Sequence, residues 1–201
     1  MKILQPFGPK IGEFQIDHKI IAKVNNFLDS IDNAKFMQSH AKYLGGEIES
    51  ERLIAYDKLN EHTNIVSVLG NCVAEYVNAT LGKNISQLTF SAIWVNDMKS
   101  GEYNPIHWHD AHISGVFYTK SVLDAEDKSI KKLNRDGAIT FVHGSRQFLS
   151  ESTLLKSPDV GRLFLFPSYL MHQVNPFRNE GIRRSVAFNC LIDKELVTKS
   201  W

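Results

Sequence analysis

The sequence predicts a mainly β domain, an antiparallel barrel or sandwich braced by helices. Three observations carry that prediction. The hydrophobic period changes along the chain, with spacings of three and four before Gly82 and alternation after it. The later apolar runs are short, rich in β-branched and aromatic residues, and parted by Gly, Pro, Asn and Asp. Helical patterns gather at the start instead of alternating with strands, which argues against βαβ units.

The elements follow in order. Residues 18 to 39 carry Ile20, Ile21, Val24, Leu28 and Ile31, an amphipathic helical pattern. Residues 60 to 81 carry a longer stripe of Ile65, Leu69, Cys72, Val73 and Tyr76, and Gly82 follows as a C-terminal stop. In LTFSAIWV, Leu88, Phe90, Ala92 and Trp94 alternate with the opposite face, as on a strand. ISGVFYTK, AITFVHG, GRLFLFPS and RRSVAFNCLI read as further strands. The charged, aperiodic stretch 121 to 136, SVLDAEDKSIKKLNRD, is expected to be a surface excursion that could serve as a lid. The sum is two helices supporting a barrel of about eight strands, a scaffold that can hold one ligand in its mouth.

The chain of 201 residues is 43% apolar and 22% charged, enough to bury a core. One domain is expected over residues 1–201, with 1–85 as N-terminal helical support and 86–195 as the β core. A net charge of +1 gives no footing for nucleic acid or an anionic membrane, so neither is expected as a partner. Cys72 and Cys190 lack a CxxC spacing and read as free thiols in a reducing compartment. The start, MKILQPFGPKIGEF, is not read as a signal peptide, and no window approaches the ~20 apolar residues of a membrane span. A cytoplasmic location is expected.

The chemistry concentrates in NPIHWHDAHISGVFY. His107 and His109 stand at i and i+2, so on a strand they face the same way and could chelate one metal. Asp110 and His112 fall on the other face unless the chain turns. His172 lies among the apolar neighbours Leu170, Met171 and Val174, an unusual setting for an imidazole. Further on, Arg183, Ser185, Ala187 and Asn189 share one strand face, and Arg184, Val186 and Phe188 the other. An inward arginine is costly unless an anion meets it, and a guanidinium is the natural bidentate partner of a carboxylate. The alternative is that one of the two arginines pairs with a protein carboxylate. Trp94, Trp108 and Phe164 are candidates to line a pocket.

In this order the motifs resemble the 2-oxoglutarate/Fe(II)-dependent oxygenases, specifically a group of small hydroxylases. The carriers are Trp94-Val95-Asn96, His107-Trp108-His109, Ser114-Gly115-Val116-Phe117-Tyr118, Gly161 to Ser168, His172, and Arg183 to Asn189. The resemblance spans about residues 86 to 193 and implies a double-stranded β-helix, the jelly-roll or cupin-like barrel. It implies that His107 and His172 ligate Fe(II), that Arg183 and Ser185 bind the distal carboxylate of 2-oxoglutarate, and that Tyr118 hydrogen-bonds this cosubstrate with Asn96 close by. O2 is the oxidant, succinate and CO2 are products, and ascorbate is an expected stimulant. The usual third ligand is a carboxylate two residues after the first histidine. Here that position is His109, and Asp110 follows it. Either His109 completes a three-histidine set or a bulge presents Asp110; the i, i+2 geometry favours His109. The substrate is a small molecule or a protein side chain. Two rival readings are a cupin-like metalloprotein without 2-oxoglutarate, which leaves Arg183-x-Ser185 unexplained, and a non-catalytic β-barrel binding protein, in which the three histidines would not converge.

Overall fold

Asp17 opens the first helix, α1 (His18–Asp29), where its carboxylate accepts the Lys19 N–H at 2.7 Å. The computed structural model describes residues 1–5, 8–39, 48–122, 135–149 and 151–198. The helix expected over 18 to 39 stops early, at Ser30, which is extended. A 3₁₀ turn, Ile31–Phe36, and a short strand follow. Ser30, Asp32 and Asn33 are short polar residues that compete for backbone bonds, and the Asn33 amide caps Phe27 O at 3.3 Å.

The helix expected over 60 to 81 is two helices, α2 (Tyr56–Thr63) and α3 (Ile65–Leu81). Asn64 parts them in the left-handed region, at φ 61°, a conformation asparagine tolerates better than most residues. The predicted stop at Gly82 holds, with φ 65° and its N–H bonded to Asn78 O at 2.8 Å.

The strands are β1 (Lys2–Leu4), β2 (Ile11–Gln15), β3 (Met37–Ser39), β4 (Glu51–Ile54), β5 (Leu88–Met98), β6 (Asn104–His107), β7 (Ile113–Lys120), β8 (Ile139–Val142), β9 (Thr153–Lys156), β10 (Arg162–Pro167), β11 (Met171–Val174) and β12 (Arg183–Ile192). A short helix, α4 (Lys194–Thr198), follows the last strand. An eight-stranded sheet runs β1-β2-β10-β7-β12-β5-β4-β3, and a four-stranded sheet runs β6-β11-β8-β9. Every pairing in both is antiparallel. The first 85 residues therefore supply four strands of the larger sheet as well as three helices.

Strict alternation sorts the core into two layers. Phe117, Leu163, Leu165 and Val186 point to the helix side and pack with Ile21, Val24, Leu69 and Val73 of α1 and α3. Val116, Tyr118, Phe164 and Phe166 point the other way and meet Ile139 and Phe141 of the smaller sheet. The result is a jelly roll, two sheets face to face with helices on the outside of one. Gly115 is required by packing: a Cβ there would lie 2.2 Å from the Phe188 ring across the β7–β12 pair. The expected excursion at 121 to 136 lies largely outside the described residues.

Candidate metal and cosubstrate site

The smaller sheet brings two histidines together by register. His107 closes β6, and His172 on β11 is its direct cross-strand partner. Opposed residues of an antiparallel pair share a face, and the two rings lie 4.3 Å apart. The strand expected to carry His109 ends at His107 instead. Past the strand end His109 still reaches the pair, its ring centroid 5.0 Å from His107 and 5.2 Å from His172. Its N–H bonds to Ser168 O at 3.0 Å, and Trp94 packs against its ring at 5.5 Å. The ring nitrogens of the three histidines lie within 4.8 Å of one another. Asp110 is exposed and stands outside this group.

Two of the rings have their tautomer set by backbone carbonyls. His107 Nδ1–H donates to Pro105 O at 2.6 Å, and His172 Nδ1–H to Leu170 O at 2.8 Å. Each arrangement leaves Nε2 as a lone-pair donor, the orientation seen at metal sites. Burial lowers the pKa of all three, His109 to about 4 and His172 to about 3, with His107 as a lesser repulsive cause in both. All three are neutral at pH 7, as ligation requires.

Across the cavity, on the larger sheet, Arg183 is 1% exposed. Its Nε donates to Gly137 O at 2.8 Å. Nη1 reaches Met98 Sδ at 3.2 Å and Ser185 Oγ at 3.4 Å, and Nη2 has no hydrogen-bond partner among the described residues. The guanidinium lies 4.8 Å from the centre of the Tyr118 ring. Among the described residues no carboxylate pairs with it. Among the described residues, Asn96 Oδ1 and the Tyr118 hydroxyl, which lies beside the Arg183 guanidinium, are likewise buried without a hydrogen bond of ordinary geometry. Unsatisfied buried polar groups are rare and costly. Here three of them line one cavity together with Ser185 and the three histidines.

The pocket aromatics divide. Trp94 lines the cavity, whereas Phe164 is fully buried in the core between the sheets and Trp108 points outward, 58% exposed. Trp108 lies between two inward histidines, just past the end of β6, and faces solvent.

Sequence reading passed over Glu51. It lies on β4 opposite Asn96, 4% exposed, and burial raises its carboxyl to about 7, offset in part by the Asn96 amide. The only available signal was the alternation of ERLI, which is too short to stand out. Ser114, Ser168 and Asn189 stood in quoted motifs without a role.

The fold and the donor set together are those of a jelly-roll protein whose three clustered histidines could hold a metal ion. Residues 92–189, which contain every candidate site residue, match the family described as "Putative 2OG-Fe(II) oxygenase". That match assigns the barrel segment to the 2-oxoglutarate- and Fe(II)-dependent oxygenases, whose chemistry uses Fe(II), 2-oxoglutarate and O2.

Solved structures share the fold. A prolyl-4-hydroxylase from Pseudomonas putida superposes with TM-score 0.62 at 11% identity, over 89% of this chain and 91% of that one. A prolyl hydroxylase from Trichoplax adhaerens, in complex with a hypoxia inducible factor peptide fragment, gives 0.60 at 14%, over 95% and 87%. The viral collagen prolyl hydroxylase of Paramecium Bursaria Chlorella virus-1, in its 2OG complex, gives 0.55 at 11%, over 90% and 94%. These likenesses make the jelly roll a double-stranded β-helix. No curated protein matches the chain by sequence.

The residues fit the cofactors. Three neutral imidazoles suit a divalent first-row cation, and a buried guanidinium with a spare donor suits a carboxylate.

Proposed function

We propose that the chain is a 2-oxoglutarate-dependent hydroxylase in which His107, His109 and His172 hold Fe(II), and that its described residues work as one oxygenase domain. The observation that carries this reading is Arg183, a fully buried guanidinium that meets no carboxylate among the described residues, in the same cavity as the histidines. The distal carboxylate of 2-oxoglutarate takes the place of the missing anion. Arg183 Nη2 and the hydroxyls of Ser185 and Tyr118 are the donors for it. Asn96 lies along the same wall and contributes its amide. When bound, the iron supplies the oxidation, coupling conversion of 2-oxoglutarate and O2 to succinate and CO2 with hydroxylation of a substrate C–H bond. The protein's part is placement: carbonyl-fixed imidazoles on one sheet, a charged anchor on the other, and a dry space between.

The substrate we propose is a side chain of a polypeptide. The Trichoplax neighbour is in complex with a peptide fragment. Ile106, Trp108 and Tyr169, next in sequence to the histidines or to Ser168, are 47%, 58% and 57% exposed, the kind of apolar surface that grips a chain. We place the protein in the cytoplasm, because its two cysteines are free and suit a reducing compartment. No helix among the described residues is long and apolar enough to cross a membrane.

The test is succinate release from 2-oxoglutarate in air with Fe(II) and ascorbate, in the wild type and in Arg183→Ala and His172→Ala. Turnover in the wild type and none in either variant is the expected result. Anaerobic titration with Fe(II) and 2-oxoglutarate gives a second readout, the visible metal-to-ligand charge-transfer band. Absence of both the band and metal uptake would sink the reading.

A further inference from the structure

Three residues from three separate motifs meet beside the metal-ligand group. Ser114 is the second residue of β7, Ser168 follows β10, and Asn189 lies on β12 as the register partner of Ser114. Ser114 Oγ is 2.9 Å from Ser168 Oγ and 2.7 Å from Asn189 Oδ1. Proton counting sets the direction of this chain. Asn189 Oδ1 can only accept, so the Ser114 hydroxyl donates to it. Ser114 has one proton, so the Ser168 hydroxyl must donate to Ser114. Ser114 and Ser168 are 2% and 0% exposed, so water does not compete for these bonds.

The backbone of Ser168 is bonded on both sides to the loop that carries His109. Ser168 O accepts the His109 N–H at 3.0 Å, and the Ser168 N–H donates to His112 O at 3.2 Å. His112 is fixed in turn: its N–H bonds to Cys190 O at 3.1 Å, and its Nδ1 accepts the Ile192 N–H at 3.0 Å. His107 and His172 are placed by a strand register, but His109 lies beyond the end of its strand.

We infer that the Ser168–Ser114–Asn189 hydrogen-bond chain is the device that positions His109 as the third metal ligand. It transfers the register of β7 and β12 to a residue that no strand register holds. The inference rests on the assignment of the three histidines as ligands. It makes Ser114, Ser168 and Asn189 positioning residues, which act on the metal through His109 and do not touch it.

The test uses the full-length apoprotein and Co(II) alone, read by calorimetry and by the visible d–d spectrum. Ser114→Ala is expected to weaken Co(II) binding about tenfold or more, the usual effect of removing an outer partner, and to change the band pattern. Ser114→Thr, which keeps the hydroxyl, restores both. In a His109→Ala background, Ser114→Ala has no further effect on Co(II) binding, because the ligand it acts through is gone. Should Ser114→Ala not fold, Ser168→Ala interrupts the same chain and gives the same readout. Wild-type affinity and spectrum in the serine variant, with His109→Ala weakened, would overturn the inference alone. So would an equal loss in both backgrounds, which marks a general structural effect. Unchanged Co(II) binding in His109→Ala would overturn the three-histidine assignment and the inference with it.

Discussion

Arg183 and Arg184 are consecutive residues with the same side chain and opposite surroundings. Arg184 faces the helix side and forms ion pairs with Asp97 and Asp29, at 2.5 Å and 2.8 Å. Arg183 faces the cavity, meets a carbonyl, a thioether and a hydroxyl, and among the described residues keeps one nitrogen unpaired. One arginine completes the fold and the other is left incomplete by it. The contrast extends across the sheet. On the outer face, Arg52 and Asp97 pair at 2.7 Å. On the inner face, Glu51 and Arg183 are both buried, and no ion pair among the described residues joins them. Charges that neighbouring protein groups neutralise belong to stability. Charges left unneutralised mark the place for a ligand.

The largest expected effect is on cosubstrate binding. Arg183→Ala should raise the Kd for 2-oxoglutarate at least about a hundredfold, because each hydrogen bond to a charged group is worth about 1.5–3 kcal/mol. Calorimetric titration of the metal-loaded protein checks it, and Arg184→Ala should leave this Kd nearly unchanged. Stability should show the reverse order. Arg184→Met removes two of the three bonds that Arg184 and Arg52 donate to Asp97, leaves it Arg52, and should cost about 1.5–3 kcal/mol in urea unfolding, the usual worth of a hydrogen bond to a charged group. Arg183→Met removes an uncompensated charge and should leave the ligand-free protein as stable as the wild type or more so. If both methionine variants lose stability equally, the contrast between the two faces is wrong.

Glu51 gives an effect of similar origin that depends on pH. Its folded pKa is raised to about 7 by burial. The folded state therefore binds the proton more tightly than the unfolded state, and stability falls as pH rises from the unfolded value through about 7. Glu51→Gln should be more stable than the wild type at pH 8, by on the order of 3 kcal/mol, with the difference vanishing near pH 4. Unfolding curves at several pH values measure it, and a pH-independent difference would exclude the titration. The smallest effect belongs to Trp108. Although it stands between two candidate ligands, it is 58% exposed, so Trp108→Ala should change stability by less than about 0.5 kcal/mol and leave Co(II) affinity unchanged.

Much of this was legible in one dimension. The period change after Gly82, the strands ISGVFYTK and RRSVAFNCLI with bounds that match β7 and β12, and the alternation that sends Arg183 and Ser185 to one face all follow from side-chain geometry along an extended chain. The helices were legible in existence and less so in extent, because Ser30 and Asn64 end them through local polar competition and a left-handed residue that periodicity does not register. Strands β1 to β4 were not read, because they are three to five residues long and take their stability from pairing with distant strands.

What the sequence by itself determined is the chemistry on offer: histidines spaced for a common face, an inward arginine, and an alternating frame to carry them. What only the tertiary structure decided is which of these groups meet and which stay unpaired. His107 faces His172 because β6 and β11 pair in one register, across 65 residues of chain. Among the described residues, Arg184 has its carboxylates and Arg183 has none, because α1 and β5 place Asp29 and Asp97 on one side of the sheet only. Pairing of that kind depends on long-range register and on the layer each side chain enters, and neither is set by the residues adjacent in sequence.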